Sequence, residues 1–156
     1  MKKFIVLVVL LFALMIFSTA SAEADWIWIY SDEYQTIWVD NNSISRDRNY
    51  SGYVFRAFVR WDYSKAGRDQ IIKNILLTGV PLPKGYNNLS HRIGLEYFKE
   101  ESGIKRRATM ILTTHDKNGN IISVHDISNY PPQWVIIPPN TLGELIFDSI
   151  HVRVPN

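Results

Sequence analysis

The most regular pattern of apolar and polar positions lies in residues 53–63, where every odd-numbered residue is apolar. The even-numbered positions hold two arginines, an aspartate and two apolar residues. Because side chains of a strand alternate between the two faces of a sheet, this segment predicts a strand with one core face and one mixed, partly solvated face. The predicted core face comprises Tyr53, Phe55, Ala57, Val59, Trp61 and Tyr63.

Two shorter strands are predicted before this segment. Residues 26–30 and 36–39 are dense in tryptophan, isoleucine and other residues that favour strands. Both alternating sets of residues 26–30 are apolar, so we expect this strand to be covered on both faces. Polar residues at 40–42 end the second strand.

A second group of strands is predicted in the C-terminal half. These strands span residues 93–97, 104–114 and 121–127. Simple alternation places Ala108, Met110 and Leu112 on one side of the middle strand. Asn118 and Gly119 predict a two-residue hairpin turn, because both tolerate the positive φ that a type I′ turn requires.

Two helices are predicted from capping residues and from apolar positions at helical spacing. They span residues 65–77 and 142–150. Ser64 is a suitable N-cap for the first helix, and Gly79 lies where a glycine stop is expected. Thr141 and Glu144 match a capping box at the start of the second helix.

The order of these elements is β-β-β-α-β-β-β-α, which predicts an α+β fold. Three adjacent strands joined by tight turns favour an antiparallel sheet of about six strands, with both helices packed on it. Residues 23–156 contain no repeat or linker and have the usual length of one domain. We therefore expect a single domain.

The first 22 residues have the three parts of a secretory signal peptide. Lys2 and Lys3 precede an apolar run at 4–17, and Ala20 and Ala22 form the arrangement that signal peptidases accept. The run is shorter than the roughly 20 apolar residues that cross a bilayer. We therefore expect cleavage after residue 22, export to the periplasm or the cell exterior, and no membrane span after cleavage.

The composition excludes several kinds of catalytic site, metal site and partner. The chain has no cysteine, which excludes thiol catalysis, disulfides and cysteine-based zinc sites. It has 17 Lys and Arg against 15 Asp and Glu, and two of the basic residues belong to the predicted signal peptide. The predicted domain thus has balanced side-chain charge, so no nucleic-acid partner is expected, and no motif indicates a cofactor.

Four histidines raise the question of a metal site or of acid–base chemistry. Each of His115 and His125 is followed by an aspartate. A two-residue turn at Asn118–Gly119 would point the two histidines to opposite faces of the hairpin. We therefore predict no metal site and no catalytic residue, and keep a hydrolase that uses His125 and Asp126 as an alternative.

Arg56 and Arg60 lie on the mixed face of the predicted long strand, next to Trp61. These three residues are the predicted binding residues, because arginine beside aromatic rings suits an anionic ligand. The favoured alternative for the two arginines is that their stems cover apolar sheet surface while their charged groups pair with Asp62 and Glu96.

Trp26, Trp28 and Tyr30 would also share a strand face, as a stacking platform for sugar or peptide. A buried core explains them equally well and is the favoured interpretation.

The sequence resembles the surface-adhesin protein E-like family of exported bacterial proteins. The resemblance is carried by Trp38-Val39-Asp40, by Ser43-Ile44, by the long strand ending in Trp61-Asp62-Tyr63, and by the proline-led final helix at 139–150. Members often carry cysteines in the second half, and this chain has none. The resemblance implies a helical crossover after the long strand, and binding of host matrix or serum proteins.

Three functions follow as expectations. The first is a non-enzymatic binding or adhesion-type module, whose partner is a host or envelope protein. The second is a periplasmic domain that binds a small molecule or an anion. The hydrolase is the third. The sequence leaves the oligomeric state open.

Overall fold

The computed structural model describes residues 23–50 and 52–155, and the predicted signal peptide lies outside this part. The described residues form eight strands and two helices, which confirms the α+β class. The strands are β1 (Trp26–Ser31), β2 (Gln35–Asp40), β3 (Ser45–Asp47), β4 (Val54–Tyr63), β5 (Leu89–Glu101), β6 (Ile104–Asp116), β7 (Ile121–Asp126) and β8 (Val135–Ile136). The helices are α1 (Lys65–Leu77) and α2 (Leu142–His151). In the part described, neither helix has the length and apolar character needed to cross a membrane.

All strand pairs are antiparallel, and the main path through the sheet is β1-β2-β4-β5-β6-β7. Strand β3 pairs with β4 beyond the end of β2, and β8 pairs with β6 beyond the end of β7. The predicted count of about six strands was therefore too low, and the predicted element order lacked β3 and β8. These strands are three and two residues long, too short to show a period of two.

The core lies between α2 and one face of the sheet, which we call the helix face. In β4 this face carries Phe55, Ala57, Val59, Trp61 and Tyr63, as the alternation predicted. The rings of Phe55 and Phe98 stack with centroids 5.5 Å apart, and Phe147 of α2 meets Phe55 edge-on at 5.1 Å. All three rings are buried, and each contributes roughly 1.5–3 kcal/mol through the apolar surface it removes from water.

We call the opposite side of the sheet the outer face; in β4 it carries Arg56, Arg60 and Asp62. A second, smaller apolar cluster covers one end of it, built on Val54 and Tyr97 and covered in part by Trp134. The other end has no helix over it among the described residues. This uncovered end is where the candidate site lies.

Helix α1 covers little of the sheet, contrary to the prediction that both helices pack on it. Its one buried residue is Gly67, which lies so close to the chain before β2 that a Cβ would be 2.0 Å from the carbonyl oxygen of Tyr34. The apolar stripe of the helix is only partly used, and Leu76 remains 55% exposed. Its apolar spacing predicted the helix correctly but not its packing.

Both helix starts follow the predicted capping pattern. Ser64 Oγ accepts the backbone N–H of Gly67, and Thr141 Oγ1 accepts that of Glu144. The carboxylate of Glu144 reaches back to the N–H of Asn140, one residue before the expected partner. These bonds satisfy N–H groups that have no partner inside the helix.

The type I′ turn predicted for Asn118–Gly119 occurs instead in the hairpin between β5 and β6. Ser102 and Gly103 have φ of 52° and 75°, so the β5–β6 hairpin has the positive φ pair of a type I′ turn. At the predicted Asn118–Gly119 turn only Gly119 has positive φ. The carboxylate of Asp116 accepts the N–H of Asn118 there and holds a longer loop, so the type I′ prediction for this turn was wrong.

Candidate functional site

A register shift in β1 separates Tyr30 from the two tryptophans of the strand, which lie on the outer face. Trp28 pairs with Trp38, but the next pair joins Tyr30 to Ile37, so one residue of β1 is bulged out. Tyr30 therefore packs against the core, whereas Trp28 is 60% exposed. The predicted burial of this strand on both faces was wrong, and the three aromatic residues of 26–30 do not share one face.

The pairing of β1, β2 and β4 sets a row of side chains across the outer face. Trp28 lies opposite Trp38, and Trp38 lies opposite Arg60. A cavity of about 220 Å³ opens beside this row. Its lining consists of Trp26, Trp38, Arg60 and Asp62, which together with Trp28 we call the tryptophan–arginine site.

The polar part of this site is an ion pair within one strand. Arg60 Nε lies 2.8 Å from Asp62 Oδ1, and each side chain is about one-third exposed. The Arg60 guanidinium also lies 5.9 Å from the centre of the Trp26 ring, within cation–π range. A donor and an acceptor thus lie side by side against an aromatic wall, with no net charge.

The exposed tryptophan is held in place by hydroxyl groups. Trp28 Nε1 donates to Ser31 Oγ at 2.9 Å, and Ser31 Oγ in turn donates to Thr36 Oγ1 at 3.0 Å. This chain fixes the tilt of the indole ring before any ligand arrives. A ring that is already ordered loses little conformational entropy on binding.

The structure separates the three predicted binding residues. Arg60 belongs to the tryptophan–arginine site, and Trp61 lies on the helix face. Arg56 shares the outer face with Arg60 but has partners of its own, because its Nε donates to Ser45 Oγ and its Nη1 lies 3.7 Å from the buried carboxylate of Asp47. Arg56 therefore ties β3 to β4 and is not brought toward Arg60.

Two histidines stack beside the site. The rings of His91 and His115 are nearly parallel, with centroids 4.6 Å apart, and His91 pairs across the sheet with Asp62. Burial, the charge of Arg60 and the neighbouring His115 together lower the pKa of His91. Within residues 23–50 and 52–155, no three histidine or acidic side chains are grouped as metal ligands would be.

The structure does not bring together the residues proposed for a hydrolase. His125 lies opposite Leu112 and Asp126 opposite Ile111, so these neighbours point to opposite faces of β7. The carboxylate of Asp126 accepts the N–H of Ser128, and hydrogen bonding from Ser128 lowers its pKa. As predicted, His115 and His125 also face opposite sides.

Polar residues in the sequence indicate that the tryptophans of the tryptophan–arginine site are exposed, although the apolar pattern of residues 26–30 predicted a buried strand. The residues paired across the sheet on that face are largely polar: Thr36, Asp40, Arg60 and Asp62. A face that carries such residues on two strands is not a dry core. Tryptophans on a strand beside them are therefore candidates for an exposed surface.

Comparisons with known proteins assign the chain to no family. No family model matches it, and neither a curated protein nor a solved structure shows significant similarity to it. The resemblance to the surface-adhesin protein E-like family therefore stays a prediction.

Proposed function

We propose that this protein is an exported, non-enzymatic binding module that holds a carbohydrate chain on the tryptophan–arginine site. The observation that carries the proposal is the placement of Trp26 and Trp38 around the Arg60–Asp62 pair, whose nitrogen and oxygen lie 2.8 Å apart. Export rests on the signal peptide predicted from the sequence.

A sugar ring matches both parts of this lining. Its faces carry C–H groups that pack on indole rings, and its rim carries hydroxyl groups that donate and accept. Arg60 supplies donors, and Asp62 supplies an acceptor. Because the two charges compensate each other, the site favours a neutral ligand rich in hydroxyl groups over a strongly charged one.

The site has room for more than one sugar. A cavity of about 220 Å³ suits a single ring, and Trp28 adds an exposed indole in the same row. A ligand that fills the cavity and also stacks on Trp28 is longer than one sugar unit and lies along the row of side chains. We therefore expect oligosaccharides of the bacterial envelope or of a host surface to bind more tightly than monosaccharides.

The lining favours binding over glycoside hydrolysis. Most glycosidases place two carboxyl groups on either side of the bond that they cleave. The cavity is lined by one carboxylate, Asp62, as far as the described residues go, and that carboxylate is paired with Arg60. This arrangement holds a sugar but lacks the second acid.

The proposal is tested by titrating residues 23–156 with a panel of neutral and acidic oligosaccharides, followed by isothermal calorimetry on those that bind. Trp28→Ala and Arg60→Met should each weaken binding by about tenfold or more, as loss of a stacking or hydrogen-bonding group does. Tyr130→Ala is the matched control, because Tyr130 is an exposed aromatic residue outside the site.

Two results would contradict the proposal. One is the absence of binding to every oligosaccharide in the panel. The other is binding that Trp28→Ala and Arg60→Met leave unchanged. Tryptophan and arginine also dominate protein–protein interfaces, so capture of a purified matrix or serum protein that depends on Trp28 would assign the same surface to a protein partner instead.

A further inference from the structure

A second cavity lies on the helix face, in the part of the sheet that α2 leaves uncovered. Its volume is about 240 Å³, and its lining includes Trp61, Tyr63, Arg92, Glu96 and Arg107. Trp61 and Arg92 are cross-strand partners in β4 and β5. The full thickness of the sheet separates this cavity from the tryptophan–arginine site.

Glu96 is the buried polar residue of this cavity. It is 2% exposed, and its Oε1 accepts a hydrogen bond from Thr109 Oγ1 at 2.8 Å. Its Oε2 has no hydrogen-bond partner among the residues that the structure describes. Burial raises the pKa of Glu96, and the Thr109 hydrogen bond and the charge of Arg107 offset this only in part. Burial therefore favours the protonated, neutral form of this side chain more than water does.

Two arginines supply positive charge. The Arg92 guanidinium lies 5.8 Å from the centre of the Tyr63 ring and 6.0 Å from that of Tyr86, and no acceptor in the described part of the chain reaches its buried Nε. Arg107 is exposed at the rim of the cavity. With Glu96 protonated, the cavity has a net positive charge and aromatic walls.

We propose that this cavity binds a small organic carboxylate with a flat, apolar body, whose carboxylate lies between Arg92, Arg107 and the carboxyl group of Glu96. Guanidinium groups pair with carboxylates through charge-assisted hydrogen bonds, and a protonated carboxyl group adds one more donor. The rings of Trp61 and Tyr63 pack on the body of the ligand. This site is independent of the carbohydrate surface.

Isothermal calorimetry on residues 23–156 with three probes tests the proposal. Benzoate carries both the ring and the charge, acetate carries the charge alone, and benzamide carries the ring alone. We expect benzoate to bind at least about tenfold more tightly than either of the others. Absence of benzoate binding, or equal binding of benzoate and benzamide, would overturn the proposal.

Variants locate the binding. Arg107→Gln should weaken benzoate binding about tenfold, because it removes one charged donor at an exposed position. Arg60→Gln is the matched control on the outer face and should leave benzoate binding unchanged. The opposite pattern would place the anion on the outer face and would contradict the proposal. The carbohydrate titrations with Trp28→Ala test the tryptophan–arginine site separately.

The pH dependence of benzoate affinity distinguishes a role of Glu96 in binding from a purely structural role. Wild-type affinity for benzoate should fall as the pH rises from the ordinary pKa of glutamate through the raised pKa of Glu96, because Glu96 loses its proton and becomes a repelling charge. Glu96→Gln keeps a donor at all pH values, so its affinity should stay level over this range. Parallel pH dependence in the two proteins would contradict the role given to Glu96.

Discussion

Gly94 of β5 lies directly against Trp61 of the neighbouring strand β4. A Cβ built on Gly94 would be 3.1 Å from Cζ3 of Trp61 and 2.9 Å from Oε1 of Glu96. Glycine inside a strand often marks such a close approach. The absence of a side chain at position 94 therefore allows Trp61 and Glu96 to shape the cavity of the helix face.

Gly94→Ala should destabilise the fold by about 1–3 kcal/mol, the usual cost of inserting a methyl group into a packed site. Urea denaturation measures this change. The same substitution made in Trp61→Leu should cost less, because the smaller side chain leaves room for the new Cβ. Equal costs in the two backgrounds would show that Gly94 and Trp61 are not coupled.

Glu96→Gln should change how stability depends on pH. Burial raises the pKa of Glu96 in the folded protein, so the folded state holds the proton more tightly than the unfolded chain. Wild-type stability should therefore fall as the pH rises from about 4.3, the ordinary pKa of glutamate, through the higher folded pKa.

The glutamine variant lacks this transition. Thermal unfolding of both proteins from acid to neutral pH should show a wild-type melting temperature that falls relative to that of the variant. A melting temperature of the wild type that rises relative to the variant with pH would mean that Glu96 is preferentially ionised in the fold.

The His91–His115 stack should make the fold sensitive to acid. Burial, Arg60 and His115 lower the pKa of His91, and Asp62 and Asp116 oppose this only in part. Because the folded pKa lies below the unfolded value of about 6.5, the stability that neutral His91 contributes is present above that pH. It is lost as the pH falls from there through the folded pKa.

His91→Phe keeps a flat ring in the stack but removes the titrating group. Its melting temperature should therefore drop less than that of the wild type between about pH 7 and pH 5. His125→Phe serves as the control, since His125 is exposed on β7 and lies outside the stack. Identical pH profiles for the wild type and His91→Phe would refute this account.

Lys105 should anchor α2 to β6. Its Nζ lies 2.8 Å from Glu144 Oε1 and 2.7 Å from Asp148 Oδ1, and the lysine side chain is largely covered. Lys105→Met should cost about 1 kcal/mol in urea denaturation, and the loss should shrink at high salt, which screens the wild-type pair. Lys65→Met should cost almost nothing, because Lys65 is 85% exposed and lies 3.9 Å from Asp69.

Features that depend on neighbouring residues were predicted well. Helix α1 has the predicted bounds, and α2 extends one residue further than expected. The capping bonds of α2 join residues that lie three or four apart in the chain, such as Thr141 and Glu144. A sequence window of that length contains both partners, so the local sequence is enough to predict the cap.

The faces of the strands were predicted less well, because bulges interrupt the alternation. In β6 the register shifts so that Leu95 pairs with Ile111 but Glu96 with Thr109, which leaves Met110 unpaired. Leu112 therefore lines the helix-face cavity and does not share a side with Ala108, as simple alternation predicted. The bulge in β1 separates Trp28 from Tyr30 in the same way.

The sequence by itself determined the α+β class, both helices and their caps, and the alternating faces of β4, because each depends on interactions within a few residues. The tertiary structure decided which strand faces stay open and which charged groups meet. Arg60 joins Trp38 and Trp26, and Glu96 joins Arg92, only because strands distant in the chain pair in one register. A single bulged residue moves side chains to the other face, and that choice is made by packing against the rest of the sheet.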